Sequence, residues 1–115
     1  MNPRDVRKYL FDISRACRRL GKFTAGRTFA DYQSDEMLRS AVERQFEIIG
    51  EALNQALRQE PALRAAIADA GRIIAFRNQL IHGYADIADD VVWGVIETNL
   101  PAIAREVEQL LALRK

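Results

Sequence analysis

One cysteine and one histidine are all this sequence offers of two reactive residue types, and each scarcity excludes something. With Cys17 alone, no intrachain disulfide can form and a cysteine-based zinc site has no partners. The apolar residues spaced around Cys17 place it on a buried helix face, where a free thiol packs as a small hydrophobe. Charge of one sign is also scarce. Seventeen basic residues against sixteen acidic ones leave a formal net charge of +1. That excludes the strong, sequence-blind phosphate binding of a DNA-packing protein, so any contact with nucleic acid must be local. No stretch reaches the roughly 18 uninterrupted apolar residues of a membrane span. The first twenty residues carry Arg4, Asp5, Arg7, Lys8, Asp12, Arg15, Arg18 and Arg19, which break any run that would serve as a secretory signal. A cytoplasmic protein without membrane contact is expected. Repeats, low complexity and sustained period-two alternation are absent too, and the length suits a single domain over residues 1–115.

What is present is helical periodicity. Asn2 and Pro3 read as a cap and a first helical position, and Val6, Leu10, Ile13, Cys17 and Leu20 follow at spacings of three and four, with Gly21 as the stop. Lys22 to Gln33 has no clear period and reads as a connection with room for a short helical turn. Ser34 is the expected cap of the next helix, with Asp35 and Glu36 at the positive end of its dipole. That helix runs from Met37 to Gln59 on Leu38, Ala41, Val42, Ile49, Ala52, Leu53, Ala56 and Leu57, and Pro61 stops it. Gly50 lies inside it at a cost of about 1 kcal/mol relative to alanine, which implies the close approach of another backbone. A short helix is predicted over Pro61 to Ala70, broken by Gly71 before a third main helix on Ile73, Phe76 and Leu80 that Gly83 ends. After a turn over Tyr84 to Ala88, the set Val92, Val95, Ile96, Leu100, Ile103, Val107 and Leu110 marks a last helix, bent at Pro101, with Asp89 and Asp90 in its first turn. The economical fold is an all-α antiparallel bundle of about four main helices.

The stretch FRNQLIHGYADI, Phe76 to Ile87, holds the only histidine. On a helix Asn78 and His82 are four apart and within reach, while Arg77 and Tyr84, seven apart, start on one side. Gly83 lets the chain turn, so Tyr84 can fold back. A permanent cation suited to phosphate, an imidazole that moves protons near neutral pH and a phenol then converge. The same residues also fit a plainer role: a cation and a histidine complement the negative end of the helix dipole, and a tyrosine fills a gap between helices.

RNQLIHGY, with Ile87 and the VVW of Val91 to Trp93, resembles the signature of HepT-like proteins in the HEPN superfamily, in which an arginine and a polar residue precede a histidine and a tyrosine. The likeness extends through AVERQFEIIGEAL, Ala41 to Leu53, and NLPAIAREV, Asn99 to Val107. Where many relatives have an aspartate, this chain has Ala88, which leaves the cap of the last helix open and the motif intact. The resemblance implies an all-helical, dimeric toxin that cleaves RNA without a metal and needs no cofactor. Its implied partner is a nucleotidyltransferase of the MntA type, which neutralises the toxin by adding AMP to a tyrosine. Carried over, the motif arginine is Arg77, its polar neighbour Asn78, the histidine His82 and the AMP-accepting tyrosine Tyr84.

Metal-free cleavage of RNA needs a base for the ribose 2′-hydroxyl, a proton for the leaving oxygen and positive charge on the phosphate. His82 suits the proton transfers and Arg77 the charge, with Asn78 orienting one or the other. One histidine per chain makes a homodimer that joins two motifs the natural source of both acid and base. Glu47 and Glu51 share a helix face and are candidates to brace Arg77, or else are simply solvated. The competing expectation is a non-catalytic helical module that binds the nucleotidyltransferase or its nucleotide, with Tyr84 only an acceptor.

Overall fold

The computed structural model describes residues 3–82 and 87–114, with side chains from Val6 onward. Among these residues the chain forms six helices and no strand: α1 (Pro3–Thr24), α2 (Phe29–Ser34), α3 (Glu36–Gln59), α4 (Leu63–Ala66), α5 (Ala70–His82) and α6 (Asp89–Leu113). The all-α bundle expected from periodicity is the fold. The long α3 is its axis, packing against α1, α5, α2 and α4, while α1 also packs on α6.

Helix α1 buries the predicted stripe, with Val6, Leu10, Ile13, Cys17 and Leu20 all at most 6% exposed. It does not stop at Gly21. Phe23 packs partly against the core and draws the helix one turn further, to Thr24, whose hydroxyl donates to the carbonyl of Leu20 at 2.7 Å. The reversal falls instead at Gly26, whose φ of 72° lies in the left-handed region that glycine tolerates.

The connection after it holds a true helix. Thr28 and Asp31 form a reciprocal capping box, the Asp31 amide donating to Thr28 Oγ1 at 3.1 Å and the Thr28 amide to Asp31 Oδ2 at 2.9 Å. The Thr28 amide holds the Asp31 carboxyl below its ordinary range. This short helix is pinned by Tyr32, fully buried with its ring 5.5 Å from that of Trp93 on α6. Ser34 closes α2 and is not the cap of α3. Asp35 takes that place, its carboxylate accepting from the Leu38 amide at 3.0 Å.

Helix α3 ends as expected before Pro61, with the Glu60 amide donating to the Ala56 carbonyl at 2.9 Å. In the next segment the break precedes Gly71. Leu63 and Ile67 are both buried, and Ile67 adopts an extended backbone to reach the core, so α4 ends at Ala66 and α5 starts at Ala70 with Gly71 inside it. Asn99 of α6 donates to Asp69 at 2.9 Å and fastens this turn. Ala88, just before α6, offers no side-chain cap, and the first turn is closed by the Val91 amide on the Ala88 carbonyl at 3.0 Å. Pro101 lies inside α6 on the exposed side. Ends of the bundle are tied by Arg7, which donates to the Arg114 and Leu111 carbonyls, and by the Arg114–Glu60 ion pair. The stop expected at Gly83 and the cap expected at Asn2 lie outside the described residues.

Candidate functional site

Helix α5 inserts Ala70, Ile73 and Phe76 into the core, and Phe76 meets Phe46 of α3 edge to face, ring centroids 5.1 Å apart at 90°. The next residue is Arg77. Being one position past a core anchor, its side chain leaves α5 along the seam with α3, only 13% exposed.

There it lies over Gly50. A Cβ added to Gly50 would come within 2.5 Å of Arg77 Cγ and closer still to its Cβ, a separation no real pair adopts. The close neighbour that a glycine inside α3 implied is therefore the stem of the motif arginine rather than another backbone. One residue on, Glu51 receives the guanidinium, Nη2 to Oε2 at 3.1 Å, and also accepts from Gln55 at 3.1 Å. The buried Nε of Arg77 has no hydrogen-bond partner among the described residues. Gly50 gives Arg77 room and Glu51 gives it a direction. Of the two glutamates singled out by spacing, Glu47 makes no ion pair among the described residues; it lines a cleft of about 230 Å³ together with Tyr9, Asp12, Arg44, Ile48 and Glu51.

Asn78 and His82 take the opposite course, both exposed on the outer side of α5, with His82 its last residue. Five residues of ideal helix separate Arg77 from His82 by about 7.5 Å along the axis and about 140° around it. The two groups thus leave one copy of α5 in different directions. Tyr84 lies outside the described residues. Of the other tyrosines, Tyr32 is fully buried, and burial with Glu43 and Asp89 nearby pushes its phenol well above the ordinary range, whereas Tyr9 is half-buried. Cys17 is buried as expected, and burial, with Glu108 adding to it, pushes its thiol up to about 12. Among the described residues no three His, Cys, Asp or Glu side chains gather as metal ligands would.

A second cleft, about 490 Å³, lies between the start of α2 and the first turns of α6, lined by Arg27, Phe29, Asp90, Trp93 and Glu97 among others. Spacing did not point to it, because its two walls are about 60 residues apart in the chain. Gly50 was signalled in the sequence, as a glycine where a helix former belongs.

Comparison with known proteins bears on this geometry. A protein of Methanocaldococcus jannaschii provisionally named an RNase is 32% identical over 111 residues, covering 94% of this chain and 98% of the relative. One from Caldanaerobacter subterraneus, also provisionally named an RNase, is 30% identical over 95% of this chain and 96% of its own length. A Thermococcus cleftensis protein with the provisional name ribonuclease HepT is 30% identical over 93% of this chain and 96% of its own. No solved structure matches. The family of HepT-like ribonucleases matches residues 13–110, which take in the Arg77 seat and the segment that follows it, and the chain belongs to that family.

Proposed function

We propose that this chain is the toxin of a toxin–antitoxin pair, a metal-independent endoribonuclease acting through Arg77 and His82. The observation that carries the reading is the seat of Arg77: an arginine stem fitted over Gly50 and aimed by Glu51 at the edge of the core. A guanidinium fixed in that way offers a directed charge to a phosphodiester without losing much rotamer freedom on binding. His82 of one copy takes the proton of the 2′-hydroxyl. The 2′-oxygen then bonds to phosphorus, the bond to the 5′-oxygen breaks, and His82 of a second copy supplies the proton that the leaving oxygen needs. Asn78, one turn from His82, orients the imidazole or the scissile phosphate. The divergence of Arg77 and His82 within one copy of α5 supports a homodimer that sets one chain's arginine against the other's histidine.

Neutralisation follows from the same chemistry. AMP transferred to Tyr84 by an MntA-type nucleotidyltransferase adds bulk and negative charge beside Arg77, occupying the place of the RNA phosphate. The burial of Tyr32 supports Tyr84 as acceptor, since a phenol with no exposed surface cannot meet a partner enzyme. A non-catalytic module that only binds the nucleotidyltransferase is favoured by one observation, that Arg77 already has a carboxylate partner in Glu51.

The deciding experiment incubates purified, unmodified protein with total RNA in chelator, beside an Arg77→Ala/His82→Ala variant. Cleavage by the wild type alone supports the ribonuclease, and intact RNA in both samples leaves the binding module. Peptide mapping after coexpression with the nucleotidyltransferase locates the AMP, and a label on Tyr9 in place of Tyr84 would refute the mechanism of neutralisation.

A further inference from the structure

The net charge of +1 conceals an asymmetry. The segment of α1, Pro3 to Thr24, carries seven basic residues and two acidic ones, while the rest of the chain carries ten basic and fourteen acidic. Lys8, Arg15, Arg19 and Lys22 recur along the face of α1 opposite the buried stripe; all four are exposed, and none makes an ion pair among the described residues. Phe11 stands among them, 48% exposed, with the Arg15 guanidinium 5.8 Å from its ring centre. Arg18, by contrast, is engaged at the edge of this face by Ser14 and Glu108.

We infer that the outer face of α1 is the surface that holds single-stranded RNA against the catalytic site, with phosphates along Lys8, Arg15, Arg19 and Lys22 and a base stacked on Phe11. This rests on the ribonuclease reading and says where the substrate lies. From Lys8 to Lys22 the face runs about 21 Å, the length of about six nucleotides stacked about 3.4 Å apart. A half-exposed aromatic ring among cations that make no ion pair among the described residues is the arrangement that accepts bases of any identity while tracking a backbone. The opposite face of α1 is spent in the core, so the helix has no apolar side to insert into a bilayer. The surface also leads to the site. Tyr9 and Asp12, one residue from Lys8 and Phe11, form the α1 wall of the 230 Å³ cleft whose other wall includes Glu51, the partner of Arg77.

The test uses the full-length unmodified protein and a short fluorescein-labelled 2′-O-methyl RNA, which lacks the attacking hydroxyl and so reports binding alone. Arg15→Ala/Arg19→Ala/Lys22→Ala, checked for unchanged helicity, is expected to weaken binding at least about tenfold near physiological salt. The slope of log K against log salt should flatten by about 2, since each phosphate contact on a single strand contributes about 0.7. Phe11→Ala is expected to weaken binding about fivefold or more with no change of slope. Unchanged affinity and slope in the triple variant would overturn the inference, as would a wild type that does not bind. Loss of binding to phosphatidylserine vesicles with RNA binding intact would also overturn it and give the face to a membrane. Weaker binding by the triple variant of a protein that never cuts RNA would leave this surface standing and remove the ribonuclease. Cleavage with unaltered binding would do the reverse.

Discussion

Helices α1 and α5 use their residues differently. α1 buries a stripe along its length, from Val6 to Leu20, against both α3 and α6. α5 buries only Ala70, Ile73 and Phe76, and from Arg77 to His82 no residue is fully buried. Its second half is held through the arginine seat on α3 together with Leu80, which packs partly buried against the core. Apolar burial of about 1.5–3 kcal/mol per large side chain fixes α1 and the start of α5. Where that burial ends, the polar side chains of Arg77, Asn78 and His82 begin.

This contrast predicts a separation of effects, tested first where they are largest. Phe46→Ala, which empties a site 1% exposed beneath Phe76, is expected to cost about 3–5 kcal/mol of stability, read as a lowered denaturant midpoint. His82→Ala, at an exposed helix end, is expected to change stability by less than about 0.5 kcal/mol and to lower the cleavage rate by about 10²- to 10⁴-fold. A His82→Ala protein that keeps full activity at equal concentration would end the catalytic assignment. One that unfolds would place His82 in the structural half of α5.

Between these halves lies Gly50, where stability and activity should change together. A methyl group there collides with the Arg77 stem near its root, so α5 must shift away from α3. Overpacking of this kind costs about 1–3 kcal/mol, partly offset by about 1 kcal/mol of improved helix propensity. Gly50→Ala is therefore expected to remain folded with a net loss of up to about 2 kcal/mol, while cleavage drops about a hundredfold as the guanidinium is displaced. Wild-type activity in that variant would show that the seat does not position Arg77 for chemistry.

The same contrast explains what the sequence made legible. Long helices with three-and-four spacing were readable in type and extent, because α1, α3 and α6 bury continuous stripes that leave a strong period. Boundaries failed where one residue decided between alternatives: Phe23 carried α1 past Gly21, Asp35 displaced Ser34 as a cap, and Ile67 turned the chain before Gly71. Helix α2 was legible only as room for a short helical turn, because a helix of six residues with a single buried side chain, Tyr32, has no period to detect; its one local sign was the spacing of Thr28 and Asp31. At the candidate site, the sequence supplied Arg77, Asn78 and His82 and marked Gly50 as anomalous. That Gly50 and Arg77 explain each other is a fact of packing between two helices, α3 and α5, which periodicity within either helix cannot carry.

Cys17 offers a check on the α1 stripe that is quiet at neutral pH. Its thiol is raised in the fold from an ordinary 9.0 to about 12, so folding favours the protonated form. The stability this gives is fully present below pH 9 and is lost as the pH rises toward 12, because the unfolded chain ionises first. Alkylation by iodoacetamide at about pH 8 is expected to be much slower in the native protein than in urea, since the thiolate is the reactive form. Equal rates would show that the α1 face opens readily and is not the rigid half of the comparison.

The smallest effect on stability is expected at Glu51. Its carboxylate is 55% exposed, and an ion pair so open to water contributes less than about 1 kcal/mol, so neither Glu51→Gln nor Glu51→Ala should move the unfolding midpoint far. Activity should separate them. The amide of Glu51→Gln would keep one acceptor oxygen for Arg77 while giving up the one that faces Gln55 and removing the opposing charge. The guanidinium then stays aimed, is held less firmly, and meets the substrate phosphate with less competition. Glu51→Gln is therefore expected to lower kcat severalfold without raising KM. Glu51→Ala removes the acceptor as well, lets the guanidinium swing, and should lower kcat further and raise KM. Steady-state cleavage of one RNA by both variants measures the difference. Identical constants for both variants and the wild type would mean that Arg77 is held by Gly50 and the core alone, and that Glu51 is a solvated glutamate at the edge of the cleft.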